Sequence, residues 1–163
     1  GTTFFVYLPF SNVAPETKGG ESGDRTHKGG QPQTILLVED EEMLRELGVE
    51  ILSGEGYRVL QAKDGIEAVE MFATHRDDIG LVVCDLGLPR LGGQEAFMRM
   101  KEIRSDVRAI VASGYMEPSL RSEILKAGVI DTIQKPYDFR ELVERIQSVI
   151  GKAQSDDDHP QLF

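Results

Sequence analysis

The 163-residue chain has no tryptophan and a single cysteine, Cys84. One cysteine excludes an internal disulfide and a cysteine-built zinc site, and it suits a reducing, cytoplasmic setting. No apolar run approaches the roughly 18 residues of a membrane span, so no membrane contact by this segment is expected. No basic region precedes the apolar stretch near the N-terminus, which argues against a signal peptide. Positive charge is scarce as well. Lys and Arg number 18 against 28 Asp and Glu, a net charge of −10. That balance argues against nucleic acid or an anionic lipid surface as a direct partner and otherwise favours solubility. Histidine is rare: His27 and His159 fall in polar segments and His75 near an expected helix end, none at a metal-ligand spacing.

What is present is enough apolar material, 40% of the chain, for one packed domain with tails. Thr2–Leu8 is β-branched and aromatic and is closed by Pro9, so residues 1–10 read as a lone strand, which is not a domain. Residues 11–33 hold Pro15, Pro32 and several glycines among polar residues and read as a flexible linker. Residues 152–163, with Asp156-Asp157-Asp158 and Pro160, read as a disordered acidic tail.

Residues 34–151 alternate between strand and helix periods. Apolar strands are expected at Ile35–Val38, Tyr57–Ala62, Leu81–Cys84, Val107–Ala112 and Ile130–Gln134. Between them Leu44, Leu47, Ile51 and Leu52 follow helical spacing up to Gly54 and Gly56. Asp64 can cap a helix carrying Ala68, Val69 and Phe72. A third helix carries Ala96, Phe97, Met100 and Ile103. A fourth carries Leu120, Ile124 and Leu125, stopped by Gly128. Asp138 and Glu141 have capping-box spacing ahead of a fifth. Repeated strand–helix units predict a doubly wound (βα)5 parallel sheet of flavodoxin-like α/β class. The first, third and fourth runs are almost wholly apolar and suit central strands. The second and fifth carry Arg58, Gln61, Asp131 and Gln134 and suit edges, which gives the order 2-1-3-4-5.

In such a sheet ligands bind beyond the carboxyl ends of the strands. There the chain places Glu39-Asp40, Asp85, Ser113 and Lys135-Pro136. Each has an ordinary explanation alone: a helix cap, a loop acid, a turn serine, a solvated lysine. Together they form a set able to hold a hard cation and a phosphoryl group. Clustered carboxylates repel until a cation joins them, and Mg²⁺ favours carboxylates, waters and phosphate oxygens. A carboxylate can act as nucleophile toward phosphorus, while lysine and serine donate to its oxygens. Cys84 reads as a core residue.

The elements ILLVEDEE, GYRVLQAKDGIEA, VVCDLGLPRLGG, VASGY and IQKPYD make residues 34–151 resemble a receiver domain of two-component signalling. The resemblance implies that Asp85 is the phosphoacceptor. It implies that Glu39, Asp40 and Asp85 hold Mg²⁺ together with the Gly87 carbonyl, and that Ser113 and Lys135 contact the phosphoryl group. It also implies a cis Lys-Pro bond. GTTFFVYLP resembles the last strand of a histidine kinase ATP-binding domain, which makes the C-terminal receiver of a hybrid histidine kinase the expected context. The phosphodonor would then be a kinase histidine in the same parent chain, and a histidine phosphotransfer protein a downstream partner. One departure stands out. Many receivers have an aromatic residue three positions before the lysine, where this chain has Thr132. Two other functions compete. A Mg²⁺-dependent aspartyl phosphohydrolase typically needs an acid two residues after the nucleophile, where Gly87 stands. A phosphorylation-independent interaction module would have no use for the intact polar set.

Overall fold

A computed structural model describes residues 33–156. The expected kinase strand at 1–10, the linker apart from Gln33, and the tail beyond 156 lie outside the described residues. The elements run β1 (Thr34–Val38), α1 (Glu42–Gly54), β2 (Arg58–Ala62), α2 (Gly65–Thr74), β3 (Ile79–Asp85), α3 (Gly93–Ile103), β4 (Ala109–Ser113), α4 (Pro118–Lys126), β5 (Asp131–Gln134) and α5 (Phe139–Asp156). The strands form one parallel sheet in the order β2-β1-β3-β4-β5, with the two polar-containing runs at its edges.

Strand side chains alternate between faces, so the apolar runs feed two core layers. Leu36, Val38, Val82 and Val111 face α2, α3 and α4 and pack with Phe72, Phe97, Met100 and Ile124. Ile35, Leu37, Leu81 and Ile110 face α1 and α5 and pack with Leu52, Leu142 and Ile146. A strand covered on both faces has no use for a polar residue, which is why β1, β3 and β4 read as continuous apolar runs.

Helix ends follow the expected chemistry in part. Asp64 caps α2 through hydrogen bonds that its carboxylate accepts from the Ile66 and Glu67 amides, each at 3.0 Å. Gly128 follows α4 at φ 109, a left-handed conformation that side chains resist. At α5 Asp138 accepts from the Arg140 amide at 2.9 Å. Glu141 does not complete the capping box: it pairs with Arg145 one turn on. Nor does α5 stop where the tail was expected to begin. It continues to Asp156, because Lys152, Ala153 and Gln154 are good helix formers and carry on from a turn already anchored by Val149 and Ile150.

Candidate functional site

The register brings the expected residues together. Val38 pairs with Cys84, Asp85 with Ala112, and Ser113 with Gln134. The residues that follow β1, β3, β4 and β5 therefore share one end of the sheet.

Glu39 extends β1 by one more bond to β2, its amide donating to the Ala62 carbonyl at 3.1 Å. Its side chain is 5% exposed, and Oε1 accepts from the Glu41 amide at 3.3 Å. Asp40 beside it is exposed. Neither caps α1 with its side chain; Glu41 holds the N-cap position. Asp85 ends β3, and its side chain is 12% exposed. Its two oxygens have different partners: Oδ1 accepts from the Gly87 amide at 2.9 Å and Oδ2 from Lys135 Nζ at 2.5 Å. Lys135 Nζ also donates to Glu39 Oε2 at 2.6 Å. The lysine backbone is tied to β4, its amide donating to the Ser113 carbonyl at 2.7 Å, and the Lys135-Pro136 bond is cis as expected. Ser113 is buried, but its hydroxyl donates to the Tyr115 carbonyl at 2.8 Å rather than toward Asp85.

Among the described residues, Glu39, Asp40 and Asp85 each offer a carboxylate oxygen within 4.8 Å of the others. Oxygen donors of full negative charge at that spacing fit a hard divalent cation. The electrostatics agree. Burial pushes the Glu39 carboxyl above its ordinary value even though Lys135 opposes the shift. Burial also works to lower the Lys135 ammonium, but its bonds to Asp85 and Glu39 outweigh this and hold it above the usual lysine range. One ammonium thus bridges two carboxylates, and burial still keeps Glu39 above its ordinary value. Gly87 reaches the site through its amide. Cys84 lies just beneath, and burial pushes its thiol up to about 12, so it is a core group and not a nucleophile.

Sequence reasoning missed the residues that hold the acidic loops. Arg45, on α1, donates to the carbonyls of Glu39 at 2.8 Å and Asp40 at 3.3 Å. Arg90 reaches from the loop after Asp85 to Asp64. An arginine in the first turns of a helix carries no sequence mark of such a contact. Thr132 is buried and its hydroxyl has a partner. It accepts from Arg121 Nε at 3.0 Å.

Residues 35–147 match the family described as the response regulator receiver domain. Sensor kinase CckA of Brucella abortus (strain 2308) is 27% identical over 158 residues, covering 93% of this chain and 17% of that protein. Response regulator MprA of Mycobacterium leprae (strain TN) is 36% identical over 123 residues, covering 76% of this chain and 53% of that protein. The chain thus spans about half, or far less, of the length of these relatives. A chain of the CheX-CheY-BeF3-Mg²⁺ complex from Borrelia burgdorferi superposes with a TM-score of 0.71 at 28% identity, covering 74% of this chain and 91% of that one. The receiver domain of sensor histidine kinase PA1611 from Pseudomonas aeruginosa PAO1, solved with magnesium coordinated in its active-site cleft, gives 0.65 at 31% identity, covering 74% and 98%.

Proposed function

The chain belongs to the response regulator receiver domain family, a phosphoacceptor module of two-component signalling, and on that premise we infer that Asp85 is the residue that takes the phosphoryl group. The observation that carries the reading is the pair of bonds on its carboxylate. The Gly87 amide orients one oxygen and Lys135 the other, at the end of a central strand and beside two further acids.

In the transfer, an Asp85 oxygen forms a bond to phosphorus as the bond from phosphorus to the donor histidine nitrogen breaks, and that nitrogen leaves with its electron pair. Transfers of this kind depend mainly on positioning and charge neutralisation. Glu39, Asp40 and Asp85, with the Gly87 carbonyl, would hold Mg²⁺, in keeping with the metal in the Pseudomonas receiver's cleft and the Borrelia complex. When bound, the ion supplies positive charge to the phosphoryl oxygens. Lys135 already lies on Asp85 Oδ2 and can pass to a phosphoryl oxygen by a short side-chain movement. Ser113 can turn from the Tyr115 carbonyl to do the same.

The donor in this reading is a kinase histidine. The CckA match covers more of the chain than residues 34–151 can supply. That favours a parent hybrid histidine kinase, with residues 1–10 as the last strand of its ATP-binding domain, 11–33 as tether, a cytoplasmic location, and a histidine phosphotransfer protein as a downstream acceptor. No helix of the described residues is long and apolar enough to cross a membrane. The test is incubation of wild type and Asp85→Asn with acetyl phosphate and Mg²⁺, read by intact mass. One phosphoryl group is expected on wild type and none on the variant. Equal incorporation would overturn the assignment.

A further inference from the structure

The loop of residues 86–92 joins Asp85 to α3 and carries the Gly87 amide that orients Asp85. What fixes this loop lies outside the site. Leu88 and Leu91 are buried anchors. Between them Arg90 has φ 64, among the described residues the one non-glycine at positive φ, in a region that L side chains resist. Its guanidinium bonds Oδ2 of Asp64, the N-cap of α2, 26 residues away in the chain.

The anchor and the strap differ in character. The Asp64 side chain is 3% exposed, and its other oxygen is held by two amides of α2. Arg90 is 56% exposed and reaches inward to it. The backbone follows the same path. The Leu91 carbonyl lies so close to Gly65 that a Cβ there would sit 2.1 Å from it, and the loop closes through the Gly93 amide on the Leu86 carbonyl at 3.2 Å. The first turn of α2 is therefore a fixed surface to which the loop is strapped.

We propose that Arg90 is a positioning residue for phosphoryl acceptance: bound to Asp64, it holds the loop so that Gly87 presents the Asp85 carboxylate in the orientation that Mg²⁺ and the phosphoryl group require. The proposal rests on the reading of Asp85 given above. Groups that orient metal ligands are commonly nearly as important as the ligands. Arg90 does this at one remove, through the backbone.

Two substitutions separate the strap from the backbone it holds. Asparagine tolerates left-handed φ, so Arg90→Asn keeps the loop's conformation accessible but cannot span to Asp64. Asp64→Asn retains a cap oxygen while removing the charge that Arg90 meets. In each variant the Mg²⁺ concentration for half-maximal phosphorylation by acetyl phosphate should rise about tenfold, the low end for outer-shell substitutions. The double variant should be no worse than either single one, and Arg90→Lys should recover most of the loss. Without metal, amide hydrogen exchange at Gly87, Leu91 and Gly93 should accelerate in Arg90→Asn while β1 and β4 stay protected. Unchanged exchange at those amides, additive effects of the two substitutions, or a lowered melting temperature with unaltered Mg²⁺ dependence would each overturn the proposal. If wild type itself took no phosphoryl group, the reading of Asp85 would fall, and the exchange data would still decide whether Arg90 holds the loop.

Discussion

Removing Lys135 tests the electrostatic account of the site most directly. Its ammonium lies 2.6 Å from Glu39 and 2.5 Å from Asp85, both largely buried. At a charge separation near 4 Å and an effective dielectric of about 20, each attraction is worth about 4 kcal/mol before desolvation is counted. Burying the ammonium takes back much of that. The informative quantity is what remains when one partner leaves: about 3–5 kcal/mol for a buried pair, because the other charge stays behind unpaired. Lys135 keeps 20% of its side chain in solvent, which points to the lower end. Lys135→Met should therefore lose about 3 kcal/mol of metal-free stability at pH 7. Glu39 and Asp85 would then have no ammonium to share, so the variant should bind Mg²⁺ more tightly than wild type while accepting phosphate more slowly. Mg²⁺ stabilises both proteins, so at saturation the gap should narrow by the ratio of their dissociation constants, about 1.4 kcal/mol per tenfold. Urea unfolding of both proteins, with and without Mg²⁺, reads all of this. A metal-free loss within the roughly 0.5 kcal/mol of an ordinary surface substitution, or a gap that saturating Mg²⁺ does not narrow, would refute the reasoning.

Three further outcomes follow from the same structure. Asp64→Ala should cost about 1 kcal/mol through the lost α2 cap. The Asp64 carboxyl is held below its ordinary 3.8, first by the Glu67 amide and then by Arg90. Its contribution is thus full above that value and fades as pH falls through the lowered folded one. The stability difference between wild type and Asp64→Ala should shrink in acid-range urea titrations; a difference constant down to the lowest pH would contradict this. Phe72 is fully buried and lies under the Arg104 guanidinium at 5.1 Å, so Phe72→Ala should lose about 3–5 kcal/mol by urea unfolding. Beryllofluoride, a stable mimic of the phosphoryl group, should draw Ser113 off the Tyr115 carbonyl. The largest amide shifts should fall between Ser113 and Leu120, and shifts confined to 130–134 would contradict that.

The polar ends of the apolar runs were legible because a parallel sheet leaves them no other place. Once β1, β3, β4 and β5 run side by side, Glu39, Asp85, Ser113 and Lys135 must share one rim. Strand order was legible for a related reason: a two-sided core excludes Arg58, Gln61 and Asp131 from its centre, so those residues mark the edges. The contacts that hold the rim were not legible. Arg45 and Arg90 act through carbonyls and a helix cap whose positions depend on the paths of short loops. The Ser113 hydroxyl's choice of the Tyr115 carbonyl depends on one local turn. Residues from 152 on read as tail because of Asp156-Asp157-Asp158 and Pro160, but the stretch just after Gly151 keeps good helix formers, and α5 runs on to Asp156.

Position 132 shows how a departure from the family pattern is absorbed. Threonine is smaller than an aromatic ring, and beside it lies an open cleft of about 370 Å³ whose lining includes Met116, Arg121, Thr132, Ile133, Glu141 and Arg145. Polar contacts bridge what packing does not. Arg121 joins α4 to the Thr132 hydroxyl. Arg145 joins α5 to the Asp131 carboxylate at 2.9 Å and to the Thr132 carbonyl at 3.2 Å. The consequence falls on α4. It has one fully buried residue, Ile124, and no side-chain cap at Glu117, the features of an element that opens at low free energy. Leu120 and Ala127 pack only partly buried against the core, and the Arg121 bond ties the helix to β5. A displacement of α4 from β5 beyond the reach of that side chain breaks it. A bond from a charged donor is worth about 1.5–3 kcal/mol when buried and less at a solvent-exposed arginine, small enough for a rearrangement beginning at Ser113 to overcome.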